Sequence, residues 1–265
     1  MELGNLGGAM SPVIYSVEGN IATITLADEE NRNALGNALT AAMHESLSLA
    51  IGDDEVRVIV LTHEGSVFCA GANLKERSSQ SEDVDAATIG FDQVLSMIQK
   101  SPKPVVARID GATMGGGIGL ACASDISISA EDAKFGFTEV RLGVAPAIIS
   151  VVCLPKMRRG EAMEVFLRGN RFSGKEAAEL GIVSRAVKSD ELDGEVESVI
   201  SDLLRGGPMA LSAAKRLVNE IPGMPLGEAF AWAAEFSSAL FNSEEAAEGM
   251  AAFLEKRDAN WVSET

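Results

Sequence analysis

A run of nearly bare backbone, Met114-Gly115-Gly116-Gly117-Ile118-Gly119, stands upstream of a carboxylate, Glu139. Glycine removes the Cβ that would keep a ligand away from main-chain N–H groups. The residues before the run, Pro104 to Ile109, read as a strand, and Ile118 to Ala123 reads as the opening of a helix. A strand, a glycine loop and a helix N-terminus together offer amide hydrogens and a partial positive charge to an anion or a developing oxyanion.

A second stretch has the same construction. Val56 to Thr62 is a β-rich run, and the loop after it, His63 to Lys75, contains the small residues Ala70-Gly71-Ala72. Two parallel strands with small-residue loops at the same end can each give one N–H to a shared oxygen, the minimum for polarising a carbonyl. One glycine run alone is as readily a plain turn. Two matched units point to an oxyanion hole made of main chain.

The elements that must hold these loops follow from the pattern of apolar residues. Val13 to Val17 and Asn20 to Leu26 read as a hairpin around Glu18-Gly19, and Asn37 to Ile51 has helical spacing through Leu39, Ala42, Met43 and Leu47. A strand over Arg57 to Thr62, a helix from about Asp85 to Gln99 and the strand from Pro104 come next. Asp125 to Ser129 is a further strand. Helices dominate from Ile148, interrupted by a β-like Gly181 to Val187 and broken again at Gly206-Gly207-Pro208. Met209 to Arg257 carries apolar residues at helical spacing, among them Leu211, Leu217, Phe230, Phe241 and Phe253.

With 265 residues and 46% hydrophobic content, the chain can bury a substantial core. The reading is an α/β fold: residues 1–10 a flexible extension, 11–205 the α/β core, 206–265 a helical region. No apolar stretch is long enough for a membrane span, and the N-terminus lacks the order of a signal peptide, so the expected location is the cytoplasm. A net charge of -17 opposes nucleic acid at long range. Cys69, Cys122 and Cys153 form no CxxC pair, which argues against a disulfide framework or a zinc site. No cluster points to a metal. His44 and His63 belong to no catalytic motif, and the glycine run lacks the pattern of a P-loop or a dinucleotide fold.

Three spaced motifs in order, Phe68-Cys69-Ala70-Gly71-Ala72-Asn73-Leu74-Lys75-Glu76, Gly111-Ala112-Thr113-Met114-Gly115-Gly116-Gly117 and Phe135-Gly136-Phe137-Thr138-Glu139-Val140-Arg141-Leu142-Gly143, resemble the crotonase (enoyl-CoA hydratase/isomerase) superfamily. The likeness runs from about Val13 to Trp261. It implies a ββα superhelix with a C-terminal helical region that joins subunits into trimers, often paired as hexamers. It also implies an acyl-CoA thioester as substrate, with coenzyme A carried by the substrate and no separate cofactor. Motif matching puts the oxyanion donors on Ala72 and Gly116. It assigns substrate contacts to Ala34, Leu35, Ala70, Lys75, Met114, Phe253 and Lys256, the lysines countering the negative charge of coenzyme A within a Debye length of about 8 Å. Phe91, Leu95 and Met114 are candidate pocket walls.

Two-carboxylate hydratases of this family carry one glutamate just after the glycine run and another in the Phe-Gly-x-x-Glu segment. The first position is Gly119 here, and the second is Glu139. One carboxylate suffices to move a proton between water and C2 in hydration of a 2-enoyl-CoA, or between C2 and C4 in isomerisation of a 3-enoyl-CoA. The segment Leu142 to Ser150 resembles that of branched members with glycine at the first position, including bacterial hydratases of isoprenoid or leucine-derived enoyl-CoA esters. The expected activity is therefore enoyl-CoA hydratase with Glu139 as acid and base. Isomerase is the alternative, and thioester hydrolysis, decarboxylation and dehalogenation are related chemistries. An acyl-CoA-binding protein without turnover is a reading from a different class.

Overall fold

The computed structural model describes residues 11–79 and 89–262. The expected flexible extension, residues 1–10, lies outside the described residues. So do residues 85–88, with which the helix reaching Gln99 is expected to begin.

Strands β1 (Val13–Glu18) and β2 (Ile21–Leu26) form the expected antiparallel hairpin. Helix α1 (Asn37–Gly52) follows and buries Leu39, Met43, Leu47 and Ala50 along one face. Three units then repeat one plan of long strand, short strand and helix. The first is β3 (Val58–His63), β4 (Val67–Cys69), α2 (Leu74–Ser79) and α3 (Phe91–Lys100). The second is β5 (Val105–Ile109), β6 (Ala112–Met114) and α4 (Gly116–Ala123). The third is β7 (Ile126–Ala130), β8 (Lys134–Gly136), a 3-10 turn (Thr138–Leu142), α5 (Ala147–Cys153) and α6 (Arg159–Arg168).

The long strands join one sheet in the order β1-β2-β3-β5-β7-β10, closed by β10 (Arg185–Val187), and every pair after the hairpin is parallel. The short strands form a second sheet, β4-β6-β8-β9, with β9 (Arg171–Ser173) antiparallel at its edge. Because β3 and β5 are almost wholly buried, their sequences are runs of valine and isoleucine rather than alternations. The second sheet matters most for function. Neighbouring strands lie about 4.8 Å apart, so the segments leaving β4, β6 and β8 emerge side by side.

Helix α7 (Gly174–Glu179) opens with a capping box between Ser173 and Glu176, and α8 (Leu192–Arg205) packs on β5 and β7. Helices α9 (Pro208–Glu220), α10 (Leu226–Phe241) and α11 (Glu244–Glu255) form the helical C-terminal region. Lys215 pins α9 to the body: its Nζ donates to the Ile98 and Lys103 carbonyls and lies 2.8 Å from Asp125 Oδ2, which also accepts from the Val105 amide.

Two expectations need correction. Ile89 and Gly90 are not helical, and α3 starts at Phe91 after Gly90. The β-like Gly181 to Val187 is a strand only over its last part, because Gly181 takes a left-handed turn at φ +79° after α7. The second sheet accords with the ββα superhelix that the resemblance implies, but the residue pattern alone does not reveal it, since its strands are three residues long and leave no periodicity to read.

Candidate active site

Each segment that leaves the second sheet carries one of the expected site residues. After β4 the chain passes through Gly71, φ +89°, to Ala72. After β6 it passes through Gly115, at φ 49° and ψ -112°, into α4. After β8 comes Phe137 and then Glu139 in the 3-10 turn. Gly115 continues the β6–β8 ladder by donating to the Gly136 carbonyl at 3.1 Å. Its dihedrals are open to glycine and closed to other residues.

The two expected donors come together. A β-carbon added at Gly71 would stand 3.2 Å from the Met114 carbonyl oxygen and 3.7 Å from the Gly116 nitrogen. A parallel bridge pairs Leu35 with Ala72: the Leu35 amide donates to the Gly71 carbonyl at 2.7 Å, and the Asn73 amide donates to the Leu35 carbonyl at 3.1 Å. In that alternation the Ala72 N–H faces away from Leu35. Neither the Ala72 nor the Gly116 N–H has a hydrogen-bond acceptor among the described residues. At the start of a helix the latter is one of the donors that needs an external partner.

Glu139 faces this pair from the third segment. Its Oε1 stands 2.8 Å from where a β-carbon on Gly115 would be. Its Oε2 is buried without a partner. Burial raises the carboxyl above its ordinary value, and its own backbone N–H opposes the shift. Aromatic packing fixes the turn that carries it. Phe137 is fully buried, 4.3 Å from the Phe166 ring and 6.4 Å from the Phe172 ring, and the Val144 amide donates to the Glu139 carbonyl.

Gly119 lies one helical turn beyond Gly115 on α4, and the room above it is taken. A β-carbon there would stand 2.5 Å from Ile149 Cγ2, 3.1 Å from Ile149 Cβ and 3.7 Å from Phe91 Cε1. A β-carbon on Gly116 would meet Leu35 Cδ1 and stand 3.4 Å from the same Phe91 atom. The wall beside Glu139 is thus hydrocarbon, and a carboxylate at position 119 has no space in this packing. Ile149 was not singled out in the sequence, because its role depends on α5 crossing α4.

The loop holding Ala34 and Leu35 is built by Asn33. This fully buried side chain accepts from the Asp28 amide and donates to the Val67 carbonyl, both at 2.8 Å, with its backbone at φ 52°. The Ala70 amide donates to the Arg32 carbonyl, so Ala34, Leu35 and Ala70 belong to one laced pair of loops. Glu76 completes the lacing by accepting from the Asn37 amide and the Asn73 side chain. Sequence reasoning missed Asn33 and Glu76. The hint for the former is asparagine's tolerance of the left-handed region.

Lys75 is exposed in the first turn of α2, and Met114 is half-buried at the end of β6. Phe253 and Lys256 stand apart at the end of α11: Phe253 is 82% exposed, and Lys256 caps the helix at φ 56°. The described contacts of this chain do not join either to Glu139. His63 braces the base of both loops, with Nε2 2.8 Å from Asp110 Oδ1 and its ring edge-on to Phe68. Burial lowers its basicity.

A family model described as enoyl-CoA hydratase/isomerase matches residues 16–264. A carnitinyl-CoA dehydratase of Salmonella enteritidis is 34% identical over 250 residues, spanning 92% of this chain and 95% of its own. The crystal structure of an enoyl-CoA hydratase from Mycobacterium smegmatis superposes with a TM-score of 0.88 at 29% identity, covering 95% of this chain and 99% of that one. An enoyl-CoA hydratase/isomerase from Marinobacter aquaeolei superposes with a TM-score of 0.87 at 31% identity, covering 95% and 99%.

Proposed function

The chain belongs to the enoyl-CoA hydratase/isomerase family, and from that premise we propose that it adds water across the C2=C3 double bond of a 2-enoyl-CoA thioester. The observation that carries this reading is the buried, unpartnered Glu139 Oε2 beside two amides that also lack acceptors. The thioester oxygen accepts from Ala72 and Gly116, which draws electrons from C3. Glu139 takes one proton from a water molecule as its oxygen bonds to C3. The electron pair of the double bond moves towards the carbonyl as an enolate, and the proton held by Glu139 passes to C2. Water is consumed, no redox group takes part, and the reverse sequence is dehydration. The M. smegmatis relative is described as a hydratase and the S. enteritidis relative as a dehydratase, which supports water chemistry.

Ala34, Leu35, Ala70, Lys75 and Met114 bound the path for coenzyme A in this reading, which belongs to the substrate and makes a separate cofactor unnecessary. A homotrimer or hexamer would cover Phe230, Phe241, Phe253 and Leu254, each 68–82% exposed, and would give Phe253 and Lys256 a neighbouring subunit to serve. None of the described helices is long and apolar enough to cross a membrane. A cytoplasmic enzyme without nucleic-acid partners is the accompanying proposal.

One observation favours a second reading. The hydrocarbon wall of Ile149 and Phe91 offers water no polar anchor. Glu139 alone can remove a proton from C2 of a 3-enoyl-CoA and return it at C4, which is isomerisation. A catalytically idle acyl-CoA binder is disfavoured, since a desolvated carboxylate is costly to keep unless it is used. The test follows conjugated-thioester absorbance with crotonyl-CoA and, separately, with 3-hexenoyl-CoA. Loss of signal with the first supports hydration. Gain with the second and no change with the first overturns hydration for isomerisation, and silence with both overturns the two together.

A further inference from the structure

The face of α4 that meets Glu139 continues into an apolar plug. Gly115 is the N-cap of α4, and its carbonyl accepts from the Gly119 amide at 3.2 Å, so the two glycines are joined across the first turn. Glu139 Oε1 covers the first, 2.8 Å from its virtual β-carbon, and Ile149 covers the second, with Cγ2 at 2.5 Å. Phe91 closes the side by reaching over both Gly116 and Gly119, at 3.4 and 3.7 Å. Glycine at 119 therefore does not open a hole for ligand: the space is already full of side chain.

Ile149 is a rigid occupant. It is branched at Cβ, so its χ1 is restricted in a helix and Cγ2 cannot swing aside without moving α5. That helix is held firmly, with Val152 and Cys153 buried alongside Ile149, which is itself 4% exposed. The same helix packs along α4, which holds the isoleucine against its first turn.

We infer that Ile149, backed by Phe91, sets acyl-group specificity by limiting the room for a substituent on C3. This rests on the acyl-CoA site proposed above. With the thioester oxygen at the Gly116 amide and C2 within reach of Glu139, C3 passes the first turn of α4, where a branch on C3 meets Ile149. Trimming the isoleucine to alanine frees space for a methyl group. A single methylene in a hydrophobic pocket changes discrimination by roughly 10- to 200-fold.

The test uses two saturated ligands that need no turnover, butyryl-CoA and its 3-methyl counterpart isovaleryl-CoA, titrated calorimetrically into the wild type, Ile149→Ala, Ile149→Val and Phe91→Leu. Ile149→Ala is expected to raise affinity for isovaleryl-CoA relative to butyryl-CoA by about tenfold. Ile149→Val keeps Cγ2 and is expected to stay within about threefold of wild type. Phe91→Leu keeps an apolar group at a half-buried position, and it is expected to shift the ratio in the same direction. Butyryl-CoA binding with an unchanged ratio in both Ile149→Ala and Phe91→Leu overturns the inference and leaves the site intact. Failure of the wild type to bind either ligand instead overturns the acyl-CoA site itself.

Discussion

Glu139 Oε1 stands 2.8 Å from the position that a β-carbon on Gly115 would occupy, and Glu139 Cδ stands 3.3 Å from it. The carboxylate is thus seated directly on bare backbone, beside the amide of Gly116. Gly115→Ala has two effects. Alanine at φ 49° and ψ -112° is strained by about 1–3 kcal/mol, and its methyl group pushes the Glu139 carboxylate out of its seat. A displacement of about 1 Å costs roughly 100-fold in rate. Steady-state kinetics and thermal melting are expected to show a kcat/KM loss of that order with a lowered Tm. Turnover within about threefold of wild type would mean that the carboxylate does not need this seat.

Glu139→Gln keeps the shape of the side chain and removes its capacity to hold a proton in transit. Loss of a general acid–base group costs about 10²- to 10⁴-fold in rate. The loss is expected in kcat with KM little changed, because the amides proposed to bind the thioester oxygen are untouched. In the wild type, kcat/KM for hydration is expected to fall on the acid side as Glu139 becomes protonated. Desolvation sets that limb above the ordinary glutamate value of 4.5. A pH–rate profile of the two proteins checks both points: an acid limb that persists unchanged in any residual Glu139→Gln activity belongs to another group.

The same carboxylate bears on stability with a sign that can be worked out. Its folded-state pKa is raised above the unfolded value, so the fold binds its proton more tightly than the unfolded chain does. The stabilising contribution is fully present below about pH 4.5 and is lost as pH rises through the raised value. Glu139→Gln never ionises. It is expected to melt above the wild type at pH 8, with the gap closing as pH falls. A gap that widens towards acid would show that Glu139 has a stabilising partner as an anion.

The parts of this site that could be read from the sequence are those made of backbone and of local spacing. Gly115, Gly116 and Gly119 announce themselves by lacking side chains, and Glu139 sits at a fixed distance from Phe135 in a segment with its own pattern. The long strands were legible because burial on both faces turns them into runs such as Val58 to Leu61. The short strands β4, β6 and β8 were not, although their order brings the three segments together. Three residues give no period. Phe91 is a candidate pocket wall from the sequence, but Ile149 is silent, since it looks like an ordinary core residue until α3 and α5 are seen to meet over the first turn of α4. Phe253 and Lys256 came from resemblance alone, and the single chain leaves them at the far end of α11.

The attachment of α9 yields a prediction that does not depend on catalysis. Lys215 and Asp125 lie 2.8 Å apart, with side-chain exposures of 9% and 23%. Burial lowers the basicity of Lys215 and raises the pKa of Asp125 despite their mutual attraction, so desolvation outweighs pairing for each. Such a pair adds little net stability over an apolar replacement, yet losing one partner strands the other. Lys215→Met leaves Asp125, with the Val105 amide as its remaining described donor, and orphans the Ile98 and Lys103 carbonyls that the ammonium served. It is expected to destabilise the protein by about 3 kcal/mol and to loosen α9. Lys215→Met combined with Asp125→Asn removes the stranded charge, and is expected to recover part of that loss. Denaturant unfolding of Lys215→Met, Asp125→Asn and the double variant beside wild type measures the difference. A double variant as unstable as the sum of its single changes would show that the two side chains act independently.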